Sequence, residues 1–205
     1  MEARLETNDD GVTRCWWCGS DPLYVDYHDN EWGRPVDDDV RLFEKLSLEG
    51  FQAGLSWLTI LKKRDNFRRA FRGFDPRAVA RFNRRSVERL LGDAGIVRHR
   101  GKIEAVIGNA KRALELADEF GSLAAFVWTY EPEPTAVPPL RSRCPEGDAL
   151  SKELKRRGWG FVGPTTVYAF MQAMGMVNDH LAGCAAHAQV EKARSRFVRP
   201  AARGR

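Results

Sequence analysis

Apolar positions along the chain recur at helical rather than strand spacing. From Asp37 the run DDDVRLFEKLSLEGF sets Val40, Phe43, Leu46 and Phe51 on one face, and the three aspartates supply a cap and an acidic first turn. This predicts a helix that ends around Gly50 and Gly54. A second helix is predicted from Ser56. Leu58, Ile60, Leu61, Phe67 and Phe71 form its apolar stripe, with Lys62, Lys63, Arg64, Arg68 and Arg69 on the other side. Short helices should start near Asp75, where Pro76 suits the first helical position, and near Ser86, with Glu88 close behind. In LLGDAGIVRHRGKIEAVIGNAKRALELADEF a short helix stops at glycine, a tight loop follows and a long amphipathic helix resumes, a helix-hairpin-helix pattern over about 86–118. Two more helices are expected at about 149–157 and 164–177. No alternating β pattern stands out, so the fold class is mainly α.

Three stretches resist this pattern. RCWWCGSDPLYVDYHDNEWGRP crowds tryptophans and tyrosines among turn formers, which predicts an irregular segment. Residues 131–147 contain five prolines and read as a loop. The ending EKARSRFVRPAARGR has too few apolar groups to offset its ordering entropy. The expected organisation is one helical unit over 12–188, with 1–11 and 191–205 flexible.

With 205 residues, 43% of them hydrophobic, one core is attainable. There is no apolar run long enough to span a bilayer and no signal-peptide core, so a soluble, cytoplasmic, monomeric protein is expected. The net charge of +5 is unevenly spread. Residues 1–61 hold 13 acids and 5 bases, residues 62–112 hold 16 bases and 5 acids, and the tail from 191 holds six bases and one acid. The middle excess lies within folded pattern, where a one-sided positive face suits a phosphate backbone. Solvated helix exteriors are equally basic, so charge alone does not decide.

Three constellations carry chemistry. Gly95 to Gly101 places glycines on both sides of a basic turn, Arg98, His99 and Arg100, with Lys102 at the start of the next helix. Outward amides and a helix N-terminus there would form a phosphate cradle, whereas the plain alternative is a helix corner. Second, His180 and Cys184 are four apart, close enough to share a metal on a helix or at its frayed end. Cys15 with either Cys18 or His28 would complete a tetrahedral site, leaving Cys144 and His187 as outliers. Two thiolates and two imidazoles close the shell, so one zinc there would be structural. Spacing also allows a separate Cys15–Cys18 half-site. Third, in SLEGFQAGLSWL the carboxylate of Glu49 lies in an apolar stretch with Trp57 eight residues on. It needs a polar partner or a ligand, unless it is simply exposed beside core aromatics. Together with Trp17, Tyr24 and Tyr27 these residues suit a pocket that stacks a planar base.

From about Arg14 to Cys184 the chain resembles the 3-methyladenine DNA glycosylase I (Tag) family of the helix-hairpin-helix glycosylase superfamily. The resemblance rests on DPLYVDYHDNEWG, LEGFQAGLSW, DAGIVRHRGKI, GNA, ALSKELKRRG, FVGPTT and VNDH with the trailing Cys184. It implies a helix-hairpin-helix glycosylase fold whose N- and C-terminal regions are stapled by one structural zinc on Cys15, His28, His180 and Cys184, with Cys18 spare. It implies that Glu49 recognises a flipped base, that Tyr27 and Trp57 stack on it, and that Trp17 and Tyr24 shape the pocket. Gly95, Arg98, Arg100, Gly101 and Lys102 would grip the backbone of double-stranded alkylated DNA, and free 3-methyladenine would be the product.

Many members of the wider superfamily carry an aspartate soon after the hairpin. Here that stretch reads KIEAVIGNAKRALELADEF, and the resembling family similarly lacks it. Loss of Glu49 is then expected to cost selectivity more than rate. The chain departs from the family in its basic tail, in Cys18 and in the loop around 131–147. The rival readings are a non-enzymatic, zinc-stabilised DNA-binding module and, against the two-cysteine ligand set, a zinc hydrolase.

Overall fold

The computed structural model describes residues 4–133 and 141–203, and ten α-helices among them carry the architecture. The chain opens on a short hairpin in which β1 (Leu5–Thr7) and β2 (Thr13–Cys15) pair antiparallel, Leu5 opposite Cys15. Residues 4–11 are therefore part of the fold, where a flexible segment was expected. Next comes α1 (Pro22–Asn30), where an irregular segment was expected. Pro22 occupies its first position, and the Asp21 side chain accepts the Leu23 amide at 3.0 Å. This helix has no continuous apolar stripe because its buried residues, Tyr27 and His28, belong to the site.

α2 (Asp39–Gln52) is capped by Asp38, whose Oδ1 accepts the Arg41 amide at 2.8 Å. Asp39 instead accepts the amides of Leu123 and Ala124, at 3.0 and 2.8 Å. The helix runs through Gly50 and ends at Gln52, between the two glycines expected to mark its end. Phe161 is packed over Gly50, its Cβ 3.2 Å from where a Gly50 Cβ would lie. α3 (Trp57–Ala70) starts at its Ser56 cap and α4 (Pro76–Val79) at Asp75 with Pro76, both as read from sequence. α5 (Arg84–Leu91) is capped by reciprocal bonds between Asn83 and Ser86, so Ser86 is inside the helix and not its start. After the turn at 92–99, α6 (Arg100–Phe120) begins at His99, whose Nδ1 accepts the Lys102 amide at 3.1 Å.

α7 (Leu123–Val127), α8 (Pro145–Arg156), α9 (Pro164–Ala173) and α10 (His187–Arg196) complete the set. α8 starts and α9 ends about four residues earlier than expected, and residues 134–140 of the proline-rich loop lie outside the described residues. The core threads through these helices, with Leu42, Phe43, Phe51, Ile60, Phe67, Phe71, Leu90 and Ile103 sealed from water. Each contributes about 1.5–3 kcal/mol by burial.

The tail from 191, expected to be flexible, is folded onto this core as far as it is described. Arg194 is buried, donates to the Gly175 carbonyl and pairs with Glu131, while Arg199 pairs with the same Glu131 at 2.9 Å and Arg203 donates its amide to Phe120. Internal acids and carbonyls therefore take up part of the tail's charge.

Gly175 positions the site. Its φ is +75°, and a Cβ there would lie 2.4 Å from the Pro35 nitrogen, so only glycine lets the two backbones meet. The Val36 amide donates to Met174 at 3.2 Å across the junction, and the chain then turns back towards α1 with His180 and Cys184 in turns rather than on a helix. No helix among the described residues is long and apolar enough to cross a membrane.

Candidate functional site

Two constellations flank α1. On one side Cys15 from the end of β2, His28 from α1, and His180 and Cys184 from the return segment bring one donor atom each within 4.8 Å of the others, all buried. Cys184 Sγ is 3.5 Å from His28 Nε2 and 3.6 Å from His180 Nδ1, and Cys15 Sγ is 3.9 Å from His180 Nδ1. Tetrahedral zinc with Zn–S of about 2.3 Å and Zn–N of about 2.0–2.1 Å sets sulfur and nitrogen about 3.6 Å apart, so the donor set fits that ion.

The outward nitrogens agree with this fit. His180 Nε2 lies 3.1 Å from the Trp32 carbonyl, which only accepts, so that nitrogen carries the proton and Nδ1 turns its lone pair inward. His28 Nδ1 lies 2.7 Å from Asp29 Oδ1, itself held by Arg14, which leaves Nε2 facing the sulfurs. Hydrogen bonding from Cys15 and the imidazoles draws Cys184 far down towards the thiolate. Cys15 is pushed well up by that same bond and by burial. Cys18 stays outside the cluster, its Sγ against the Cys15 carbonyl at 3.2 Å, and burial pushes it up to about 11. Cys144 caps α8 and His187 opens α10, so neither joins.

On the other side is a chain of rings. Trp17 and Tyr24 have centroids 5.3 Å apart, Tyr24 and Tyr27 6.4 Å, and Tyr27 and Trp57 5.4 Å. Trp17 also meets His28 edge-on at 5.0 Å and links the two constellations. Glu49 projects from α2 with 6% exposure. Its Oε1 pairs at 2.8 Å with Nζ of Lys45, one turn earlier and equally buried. The same Nζ donates to Tyr27 Oη at 2.7 Å and stands 3.1 Å over the Trp57 ring centre. Burial pushes the Tyr24 phenol up to about 12 and, with the Glu49 charge, raises Tyr27 well above the usual phenol range, so both rings remain neutral and electron-rich. The Trp57 indole N–H is buried without a partner among the described residues. Lys45 escaped the sequence reading although its spacing from Glu49 is the helical i,i+4 pair. Trp32 and Asp29 were also missed as supports of the imidazoles.

The hairpin candidates divide. Gly95 turns its amide inward to Asp93 at 2.8 Å, and its carbonyl accepts from Asn66 at 3.2 Å. Lys102 is buried, with Nζ donating to the carbonyls of Phe51 and Ala53 at 2.9 and 2.7 Å, so it clamps α6 to the end of α2 and offers no charge to solvent. Arg100 pairs with Glu88 at 2.8 Å. Gly101 lies in the first turn of α6, where a Cβ would come 3.3 Å from the His99 ring. Arg98 is exposed. Of the expected cradle, the Gly95 amide and the Lys102 ammonium are thus turned inward.

The sequence model of the methyladenine glycosylase family matches residues 17–187. The chain belongs to that family. It is 52% identical over 180 residues to DNA-3-methyladenine glycosylase 1 of Escherichia coli (strain K12), covering 84% of this chain and 96% of that one. A crystal structure of 3-methyladenine DNA glycosylase I (TAG) superposes with a TM-score of 0.81 at 51% identity, over 85% of this chain and 99% of that one. A structure of a variant of 3-methyladenine DNA glycosylase I in complex with 3-methyladenine also gives 0.81, at 37% identity over 85% and 97% of the chains. The family resemblance read from sequence is therefore right, and the mainly helical fold is shared with these glycosylases.

Proposed function

We propose that this methyladenine glycosylase hydrolyses the base-to-sugar bond of 3-methyladenine in alkylated double-stranded DNA, acting as a monofunctional, monomeric cytoplasmic enzyme on a nucleotide flipped out of the stack. The observation that carries the reading is the buried Glu49 carboxylate among Tyr24, Tyr27 and Trp57 in a chain of this family. Methylation at N3 makes the base cationic, so when the bond from C1′ breaks its electron pair neutralises the ring and 3-methyladenine leaves uncharged. Water adds to the oxocarbenium-like sugar and gives up one proton, leaving an abasic site. With so good a leaving group, a pocket that favours a cation suffices. Each electron-rich ring face contributes about 1–2 kcal/mol towards a positive base, and Glu49 accepts its hydrogen bonds.

In the same reading, one zinc on Cys15, His28, His180 and Cys184 is structural. All four positions are filled by protein, and zinc there would join β2, α1 and the return segment. The α5–turn–α6 unit serves as the helix-hairpin-helix element that holds the DNA backbone, with Arg98 its outward charge.

The test is chromatography of bases released from N-methyl-N-nitrosourea-treated DNA. Wild type is expected to release 3-methyladenine. Glu49→Gln, which keeps size and loses charge, should release it about ten- to a hundredfold more slowly, the worth of one charged hydrogen bond. Zinc-loaded, folded wild type that binds this DNA and frees no base would make the chain a binding module instead.

A further inference from the structure

Lys45 has no place in the chemistry above, yet its ammonium makes every contact a cationic base would want. It pairs with Glu49 at 2.8 Å, donates to Tyr27 Oη at 2.7 Å and stands 3.1 Å over the Trp57 ring and 5.0 Å from that of Tyr27. A planar base stacked on that face of Trp57 must lie about 3.5 Å above it, in the space Nζ already fills. The two ring centres, 5.4 Å apart and inclined at 44°, leave no room for base and ammonium together.

We infer that Lys45 is an internal occupant of the base subsite, a tethered cation that holds Glu49 and Trp57 in the free enzyme and that the alkylated base must expel. This deepens the proposed function and rests on it. A place of retreat exists: Lys45 also lines a cavity with Glu31, Glu44, Arg64 and Arg68. Glu31 is paired with Arg64 at 2.6 Å and Glu44 with Arg68 at 2.8 Å. Swinging its flexible stem towards these carboxylates takes the ammonium off Glu49 without sending it back through the core. The exchange replaces one cation by another, so a base that arrives with positive charge restores what Glu49 loses. A neutral base leaves that carboxylate buried and unpaired. In the free pocket the carboxylate meanwhile stays partnered.

The test is calorimetric titration of 3,9-dimethyladeninium, which keeps the positive charge that the base carries while bonded to its sugar, into zinc-loaded wild type and Lys45→Met, which keeps the length of the side chain and removes its charge. The variant is expected to bind at least about tenfold more tightly, since no cation has to leave the ring face. The gap should narrow between pH 7 and pH 9. Burial, partly offset by Glu49, brings the Lys45 ammonium down to about 8, and above that it sheds its proton and releases the carboxylate. The groups facing it are Glu49 on α2, Tyr27 on α1, Glu31 beyond α1 and Arg64 on α3. A folded Lys45→Met that binds equally or more weakly overturns the inference. Should that variant fold poorly, wild-type crystals soaked with the same cation decide. Nζ is expected beyond hydrogen-bond reach of Glu49, and Nζ still on Glu49 beside a base stacked on Trp57 refutes the displacement. Wild type that excises no 3-methyladenine would instead fell the proposed function.

Discussion

The cysteine–histidine cluster and the base pocket are both buried polar constellations packed against α1, but they reach closure differently. In the cluster two imidazole lone pairs and two sulfurs face one another, with the outward ring nitrogens held by the Trp32 carbonyl and Asp29. The charge Cys184 takes on and burial push Cys15 up, and a divalent cation there would remove that opposition. The pocket already contains its cation, because Lys45 sits on the same helix as Glu49. On the reading proposed above, the first site is completed from outside and then shut, whereas the second is complete as folded and has to be opened. A structural centre and a ligand site can thus be told apart by where the neutralising charge comes from.

The largest expected effect tests the first half of that contrast. Stripping the metal with a chelator, or Cys184→Ser, should destabilise the fold by more than about 4 kcal/mol, a fall in melting temperature on the order of 10 °C for a chain of this size. The checks are one zinc per chain by elemental analysis and melting curves followed by circular dichroism. A metal-free protein that melts where the loaded one does would remove the distinction, and the cluster would be four buried side chains with no ion to hold.

The sequence shows the two constellations unequally, for a physical reason. Helices with an apolar stripe and a capping residue, α3 and α4, are legible because the pattern that buries them is also the pattern that marks them. α1 is not, since Tyr27 and His28 are buried for their chemistry, and its start depends on a single aspartate and proline. β1 and β2 are three residues each, too short to alternate visibly, and α10 is fixed by Arg194, whose partners Gly175 and Glu131 are far away in sequence. For the metal set, spacing offered His28 or Cys18, and the choice needed the family resemblance. In the structure Cys18 is turned onto the Cys15 carbonyl. Lys45 went unread because a lysine amid apolar residues is ordinarily taken for a solvated face. Its burial comes from Tyr27 and Trp57, which the fold brings against it from other helices.

The same distinction between charges used inside and charges left for a ligand runs through the hairpin, where it predicts two smaller effects of opposite kind. Lys102→Met would leave the carbonyls of Phe51 and Ala53 without their donor and cost about 2 kcal/mol of stability by urea denaturation. It should leave the salt dependence of DNA binding nearly unchanged, because that ammonium never faces solvent.

Arg98→Ala should do the reverse. Arg98 is exposed on the turn, so its loss is expected to shift stability by no more than about 0.5 kcal/mol. If it meets a phosphate, it should lower the slope of log binding constant against log salt by about one. Fluorescence anisotropy of a labelled duplex at several salt concentrations gives that slope. A drop for Lys102→Met and none for Arg98→Ala would mean that the turn opens on DNA and releases its inward clamp. The hairpin would then resemble the base pocket, closed by its own charge until the ligand arrives.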